Sequence, residues 1–359
     1  VMIGLMNASR MKAAGLIYGP QKHHLDHIAP LAILLGIPLI VTEPEIEELS
    51  AKYYSHLVTL CFDYPEVGDK IVQECDVIFS SLPRDLFDPI VFIAENLRQT
   101  RVLNIWCPHG NSDKGHHSYF MEGLSKEEIA LIYGEKMRAF LMEKGAYSQL
   151  HAAITIGNYR YQYYQSHAPF YDQLVQKEIA VKLKKGNPTV LYAPTWEDAE
   201  KSSSFEESIK HLLAQVPSHL NLIVKPHPNT LLKMQNPDCY EDRENVLILK
   251  EFPPIYPLLN FVDIYLGDLS SIGYDFLTFQ KPLFFMNAKR RDPKKDKGLF
   301  LYRCGTVMEP DHFGEIFSII EKSDPTPYKK IQEAVYAHTF GKSDNIKEKI
   351  QEAYERYLS

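Results

Sequence analysis

The sequence predicts an α/β protein made of two doubly wound, Rossmann-like domains facing across a cleft. Three observations carry this expectation. The chain has 359 residues, more than one ordinary core covers, so two domains of about 150 to 180 residues are expected. Short apolar runs alternate with amphipathic segments, which implies parallel sheets covered on both faces. The runs stop at polar or glycine-containing loops, and ligands of such sheets bind beyond the carboxyl ends of the strands.

The N-terminal half repeats one pattern. AAGLIYG (13–19) leads into HHLDHIAPLAILLG (23–36) and then IPLIVT (37–42). CDVIFSSL (75–82) leads into RDLFDPIVFIAENL (84–97) and then RVLNIWCPHG (101–110). EIALIYG (128–134) leads into EKMRAFLMEKGA (135–146) and then AAITIGNYR (152–160). In the C-terminal half PTVLYAPT, LNLIVKPH, NVLILKE, VDIYLGD and KPLFFMN read as strands, separated by helical stretches such as FEESIKHLLAQV and SSIGYDFLTF. The polar stretch 171–188, closed by Gly186 and Pro188, is the expected boundary region. The expected domains are therefore 1–175 and 176–340. Residues 341–359 form a C-terminal amphipathic helix that can pack back on the first domain.

Composition narrows the class. Hydrophobic residues are 45% and charged residues 24%, ordinary for a soluble globular protein. A net charge of −7 argues against a general nucleic-acid binder. The five cysteines, Cys61, Cys75, Cys107, Cys239 and Cys304, are widely spaced and odd in number. They suggest reduced thiols in a cytoplasmic protein rather than a disulfide framework or thiolate zinc site. The longest apolar run, residues 28–41, is too short for a membrane span and is interrupted by Pro30, Gly36 and Pro38. No basic-then-apolar signal peptide opens the sequence.

The strand ends collect chemistry. After VLNIW come Cys107, Pro108, His109, Gly110, Asn111, Ser112, Asp113 and Lys114. After VLYA come Pro194, Thr195 and Trp196; after NLIV come Lys225, Pro226, His227 and Pro228; after DIYLG come Asp268, Leu269, Ser270 and Ser271. Asp268 or Ser270 before SIGYDFL is an N-cap pattern whose free N–H groups favour an anion; the plainer reading is a capped helix. Proline stiffens the Lys225–His227 loop, which suits a phosphate or pyrophosphate; the plainer reading is a surface turn. His109 alone would be an ordinary polar loop residue. Together the three segments are harder to dismiss.

The combination resembles the CDP-glycerol glycerophosphotransferase family, the teichoic-acid-type polyol-phosphate transferases, mainly over residues 102–305. His109-Gly110 with Lys114 looks like the family's His-Gly loop, and ITIGNYR, with Gly157 and Arg160, like its Gly-x-Pro-Arg segment. LYAPTW, VKPHP, GDLSSIGYDFLTFQKPLFF and KGLFLY are similar to its remaining segments. Asn111 and Ser112 replace the usual Thr-Pro, and Tyr159 replaces a proline. The first hundred residues carry no match. The resemblance implies the GT-B architecture and transfer of a polyol phosphate, glycerol phosphate foremost, from a CDP-activated donor to a hydroxyl of a cell-envelope acceptor. It implies catalytic roles for His109, the general base, and His227. Donor-binding roles fall to Lys225, Thr195, Asp268, Ser270, Ser271, Arg160 and Glu251, and acceptor-side roles to Lys114, His27 and Asp26. A Lys, a His, two Ser hydroxyls and a helix N-terminus can stabilise the charge of phosphoryl transfer without a metal. There is no D-x-D and no H-E-x-x-H, so no resident cofactor is expected.

Three features leave alternatives open. His23, His24, Asp26 and His27 suit acceptor contact, helix capping or a metal. Residues 288–298 carry six basic residues in eleven; this is a solvated loop, or a contact with an anionic membrane or phosphate polymer at the inner face of the membrane. Glu251 suits a ribose hydroxyl or the surface. Two other functions fit the scaffold. A nucleotide-sugar enzyme, a glycosyltransferase or a UDP-sugar 2-epimerase-like isomerase, is one; as an epimerase it would need acidic acid/base residues in the cleft. A non-catalytic nucleotide-binding protein is the other.

Overall fold

A computed structural model describes residues 5–6, 11–117, 119, 121–201, 203–233 and 243–359; Cys239 lies outside them. The chain divides into two compact units. Unit 1 comprises Val1–His109, Tyr119–Ser166 and His338–Ser359; unit 2 comprises Gly110–Ser118 and His167–Ala337. The polar stretch after residue 170 is not a free linker, because helix Ala168–Glu178 runs through it as part of unit 2. The chain also passes into unit 2 for nine residues directly after His109, which the alternation of strands and helices does not signal.

Unit 1 holds strands β1 (Leu5–Met6), β2 (Met11–Ile17), β3 (Leu39–Val41), β4 (Thr59–Cys61), β5 (Val77–Ser80), β6 (Leu103–Trp106), β7 (Ile129–Ile132) and β8 (Ala152–Thr155). Their order is β4-β3-β2-β5-β6-β7-β8, parallel throughout, with β1 antiparallel on β2. Strands β3, β5, β6 and β7 are buried along their whole length, which explains runs such as LIV and VIFS with no polar alternation. Strand β4 escapes the sequence pattern because its three residues are only partly buried. On one face Val67, Ile71, Phe87, Val91 and Ala94 pack against Ala14, Leu16, Ile40 and Ile78; each fully buried aliphatic side chain contributes roughly 1.5–3 kcal/mol. The closing segment belongs to this unit. Gly341 N–H donates to the Tyr133 carbonyl at 2.9 Å, and a Cβ on Gly157, whose φ is +60°, would lie 2.3 Å from the Gly341 carbonyl oxygen. Helix Ile346–Leu358 follows and buries Ile346, Ile350 and Ala353.

Unit 2 repeats the plan with strands β9 (Thr189–Tyr192), β10 (Asn221–Val224), β11 (Val246–Ile248), β12 (Ile264–Gly267), β13 (Leu283–Met286) and β14 (Thr306–Met308). The order is β11-β10-β9-β12-β13-β14, all parallel. Helix Phe205–Gln215 buries Phe205, Ile209 and Leu212, spaced to share one face, in a core with Val190, Tyr192, Leu222 and Val224. In both units strand order reverses beside the first strand of the set, β2 or β9. The crevice beyond that point is where ligands of doubly wound sheets bind. Among the described residues no helix is long and apolar enough to cross a membrane.

Candidate functional site: two switch points

In unit 1 the loop after β2 carries His23 and His24 at a 3-10 turn, Lys22–His24, and the loop after β6 carries His109. The His109 ring lies 4.8 Å from that of His24 and 6.4 Å from those of His23 and Trp106; His23 and His24 are 4.4 Å apart. Burial first, and then the neighbouring His23, hold the His109 imidazole down to about 4. Burial, His109 and His23 hold His24 well below the usual histidine range. The rings are therefore neutral near pH 7, and each keeps one nitrogen lone pair. Among the described residues no group of three His, Cys, Asp or Glu is arranged to hold a metal ion.

The residues next to this cluster are engaged in the fold. His27 is buried, with Nδ1 3.2 Å from the Tyr133 hydroxyl, and its carbonyl accepts from Tyr159 at 2.8 Å. Asp26 accepts from Tyr54 at 2.8 Å and from Arg160 at 2.9 Å. Arg160, 3% exposed, thus sits in unit 1 on Asp26; the resemblance implied a donor-binding role for it. Burial of an arginine is tolerated here because the carboxylate compensates its charge.

In unit 2 the switch point is tied together by Asp268 at the end of β12. Its buried carboxylate accepts from Thr195 N–H at 2.8 Å, Ser204 N–H at 2.7 Å and Ser204 Oγ at 2.8 Å. Burial pushes this carboxyl up to about 6, against those hydrogen bonds and the Lys114 charge. Asp268 therefore positions the β9 and β12 loops. Thr195 is buried as well: its hydroxyl accepts from Lys114 Nζ at 2.5 Å and its carbonyl from Ser203 Oγ at 2.9 Å.

The loop after β10 presents Lys225 and His227, both partly buried. His227 Nδ1 accepts from Asn229 N–H at 3.1 Å, so in the neutral ring the proton sits on Nε2, a donor suited to an anionic oxygen. The Trp196 ring lies 6.2 Å from that of His227, with the ammonium groups of Lys114 and Lys233 at 5.7 and 5.1 Å from its centroid. Ser270 is buried and Ser271 partly so. Ile272 N–H approaches Ser270 Oγ at 3.4 Å. The helix that follows, Ile272–Phe276, has five residues and runs on into a 3-10 turn, Leu277–Phe279. Glu251 is exposed beyond β11.

Segment 110–118 is moored inside unit 2. Asp113 is buried and accepts from Tyr274 at 2.7 Å and from Leu301 N–H at 3.1 Å. Lys114 pairs with Asp198 at 2.6 Å, and Gly115 N–H donates to Glu200 at 2.7 Å. Gly110 has φ +123°, and a Cβ there would come 2.7 Å from Ser271 Oγ, so only glycine fits without displacement. Lys114, expected on the acceptor side, thus belongs with the unit 2 loops. The sequence reading missed these moorings; their one trace was the acidic stretch after Trp196, which holds Asp198 and Glu200. In the basic loop, Lys289 pairs with Glu207, Arg290 with Glu309 and Asp311, and Arg291 with Asp296, so much of its charge is matched locally.

Comparison with known proteins agrees with this geometry. No curated protein sequence matches the chain. Among solved structures, the wall teichoic acid polymerase TagF is similar with a TM-score of 0.62 at 14% identity, over 96% of this chain and 88% of that one. A UDP-GlcNAc 2-epimerase from Neisseria meningitidis, bound to UDP-GlcNAc, is similar at 0.58 and 14% identity, over 96% and 100%. The UDP complex of MnaA from S. aureus is similar at 0.58 and 13% identity, over 96% of each chain. These likenesses show the two-sheet GT-B type of fold. Residues 133–309 match the model of the CDP-glycerol:poly(glycerophosphate) glycerophosphotransferases, and that segment contains Thr195, Lys225, His227, Asp268, Ser270 and Ser271. Over this segment, a little under half of the chain, the protein is similar to the CDP-glycerol:poly(glycerophosphate) glycerophosphotransferase family.

Proposed function

We propose that the protein transfers a polyol phosphate, glycerol phosphate in the first instance, from a CDP-activated donor to a hydroxyl of a cell-envelope polymer such as teichoic acid. The observation that carries this reading is the family match over residues 133–309, because it contains the β9, β10 and β12 loops of unit 2. Lys225 supplies a positive charge and His227 an Nε2–H donor for the donor diphosphate, with the Ser270 and Ser271 hydroxyls beside them. Asp268 and Lys114 act through Thr195 by holding these loops in place. Little ordering entropy is then lost on binding.

His109 is the general base in this reading. It takes the acceptor hydroxyl proton as that oxygen bonds to the phosphorus bearing the polyol. The bond from that phosphorus to the bridging oxygen breaks, and CMP leaves. A neutral imidazole is in the correct state to accept the proton, and the approach of an anionic diphosphate raises its basicity. The reading requires His109 and the unit 2 loops to act on one substrate pair. The charges come from side chains, so EDTA should leave turnover unchanged. A nucleotide donor and a polymer acceptor place the enzyme in the cytoplasm, at the inner face of the membrane.

The nucleotide-sugar alternative rests on the shared fold with the epimerase structures. Thermal shift with CDP-glycerol, CDP-ribitol, CMP, UDP-GlcNAc and UDP separates the two, since a bound ligand raises the melting temperature by mass action. Stabilisation by CDP-glycerol supports the proposal. Stabilisation by UDP-GlcNAc and UDP alone would replace it with a sugar-nucleotide function.

A further inference from the structure

The unit 1 cluster has more chemistry than a single base requires. His109 accounts for one imidazole, and His27 is engaged by Tyr133. His23 and His24 lie against His109 with centroids at 6.4 and 4.8 Å, and neither ring belongs to the sheet core. A second observation marks the same place. Ser81, 6% exposed, directly follows β5, and its hydroxyl is buried with no hydrogen-bond partner among the described residues. Ser80 is in register with Leu16 of β2 and with Trp106 of β6. Ser81 therefore lies where the loops bearing His23, His24 and His109 leave the sheet. A buried hydroxyl without a partner costs about 1–3 kcal/mol, so a native structure keeps one where something else satisfies it.

We infer that His23, His24 and Ser81 form a phosphate subsite at the unit 1 switch point, which holds a phosphate of the acceptor while its terminal hydroxyl reaches His109. This deepens the proposed function and rests on it for the identity of the acceptor. The chemistry fits a phosphate ester. A hydroxyl and two imidazoles offer donors to its oxygens, and an imidazole that gains a proton beside an anion becomes a charge-assisted donor. A metal is the rival occupant of clustered histidines, and no suitable three-ligand set is present among the described residues.

Protonation is opposed first by burial of His24, His27 and His109; His23 acts on all three, His109 on His24 and His27, and Arg160 and His24 on His27. Asp26 is neutralised by its pair with Arg160. The His24 ring is therefore neutral before binding, and an arriving phosphate draws a proton onto it. Binding should take up protons.

The test is calorimetry on the full chain with sn-glycerol 3-phosphate, a glycerol-phosphate diester, glycerol and CMP. Wild-type protein, H24Q and S81A are compared, with circular dichroism to check folding. The inference expects the phosphate esters to bind better than glycerol, and about tenfold weaker to both variants. CMP affinity should be unchanged. If H24Q does not fold, S81A decides. Equal ester affinity in wild type and variants, or no ester affinity in wild type, overturns the subsite. An equal loss for CMP overturns its assignment to the acceptor, because the site would then serve the donor phosphates. These binding differences together with a wild type that transfers nothing from CDP-glycerol leave the subsite standing and remove the proposed function.

Discussion

Units 1 and 2 build their switch points from opposite materials on the same sheet plan. Each has parallel strands that reverse order beside the first strand of the set. At the end of unit 1 the loops gather imidazoles that burial and mutual proximity keep neutral. At the end of unit 2 they carry lysines, hydroxyls and a histidine, and one buried carboxylate, Asp268, ties the loops of Thr195 and Ser204 together. The difference teaches that the fold supplies a location and the loops supply the chemistry. Neutral imidazoles can take a proton. A cationic rim with a rigid carboxylate beneath it can hold an anion.

The largest test of this contrast is in unit 1. His109→Ala should lower turnover by about 10²- to 10⁴-fold, the usual range for losing a general base, with donor affinity almost unchanged in steady-state kinetics. A large loss of donor binding with a small loss of turnover would make His109 a donor ligand and erase the division of labour.

Next comes the carboxylate of unit 2. Asp268→Ala strands the buried N–H groups of Thr195 and Ser204 and should destabilise the protein by about 3 kcal/mol. Urea unfolding reads this directly. A change within 0.5 kcal/mol, in the usual range of a surface substitution, would show that Asp268 does not hold the two loops.

A smaller effect is expected at the rim. His227→Ala should weaken CDP-glycerol about tenfold and leave cytidine unchanged, because only the donor carries phosphates; calorimetry with both ligands is the measurement. Equal losses would mean that His227 caps the Pro228–Lys233 turn and touches no phosphate.

The smallest effect is the pH dependence, and its sign differs between the units. His109 has a folded value of about 4 against an unfolded value near 6.5. Its contribution is present above pH 6.5 and is lost as pH falls toward 4. Asp268 has a folded value of about 6 against about 3.9 unfolded. Its contribution is present below that unfolded value and is lost as pH rises through 6. In melting curves between pH 4 and 6.5, H109A should lose less stability than wild type on acidification, and D268N should show a larger gain as pH rises. Parallel profiles for all three proteins would remove the electrostatic contrast.

Much of this was legible in the amino-acid order. Strands β2, β3, β5 and β9 to β13 announce themselves because a parallel strand covered on both faces must be apolar throughout. The polar residues that end them stand out for the same reason. His109, Thr195, Lys225, His227, Asp268, Ser270 and Ser271 were found in this way. The sequence did not show which of them touch one another. Asp268 and Thr195 are 73 positions apart, and Arg160 and Asp26 are 134 apart. Nothing local marks such pairs.

Alone, then, the sequence determined the alternation of elements, the chemistry at each strand end and the family resemblance, because these depend on periodicity and residue type within a few positions. Tertiary structure decided that residues 110–118 join unit 2 and that residues 338–359 return to unit 1. It also decided that His23 and His24, rather than His27 and Asp26, stand against His109. The physical reason is that a buried polar group must find its partner wherever the fold places one. His27 and Asp26 found Tyr133, Tyr54 and Arg160, and packing alone selects such partners.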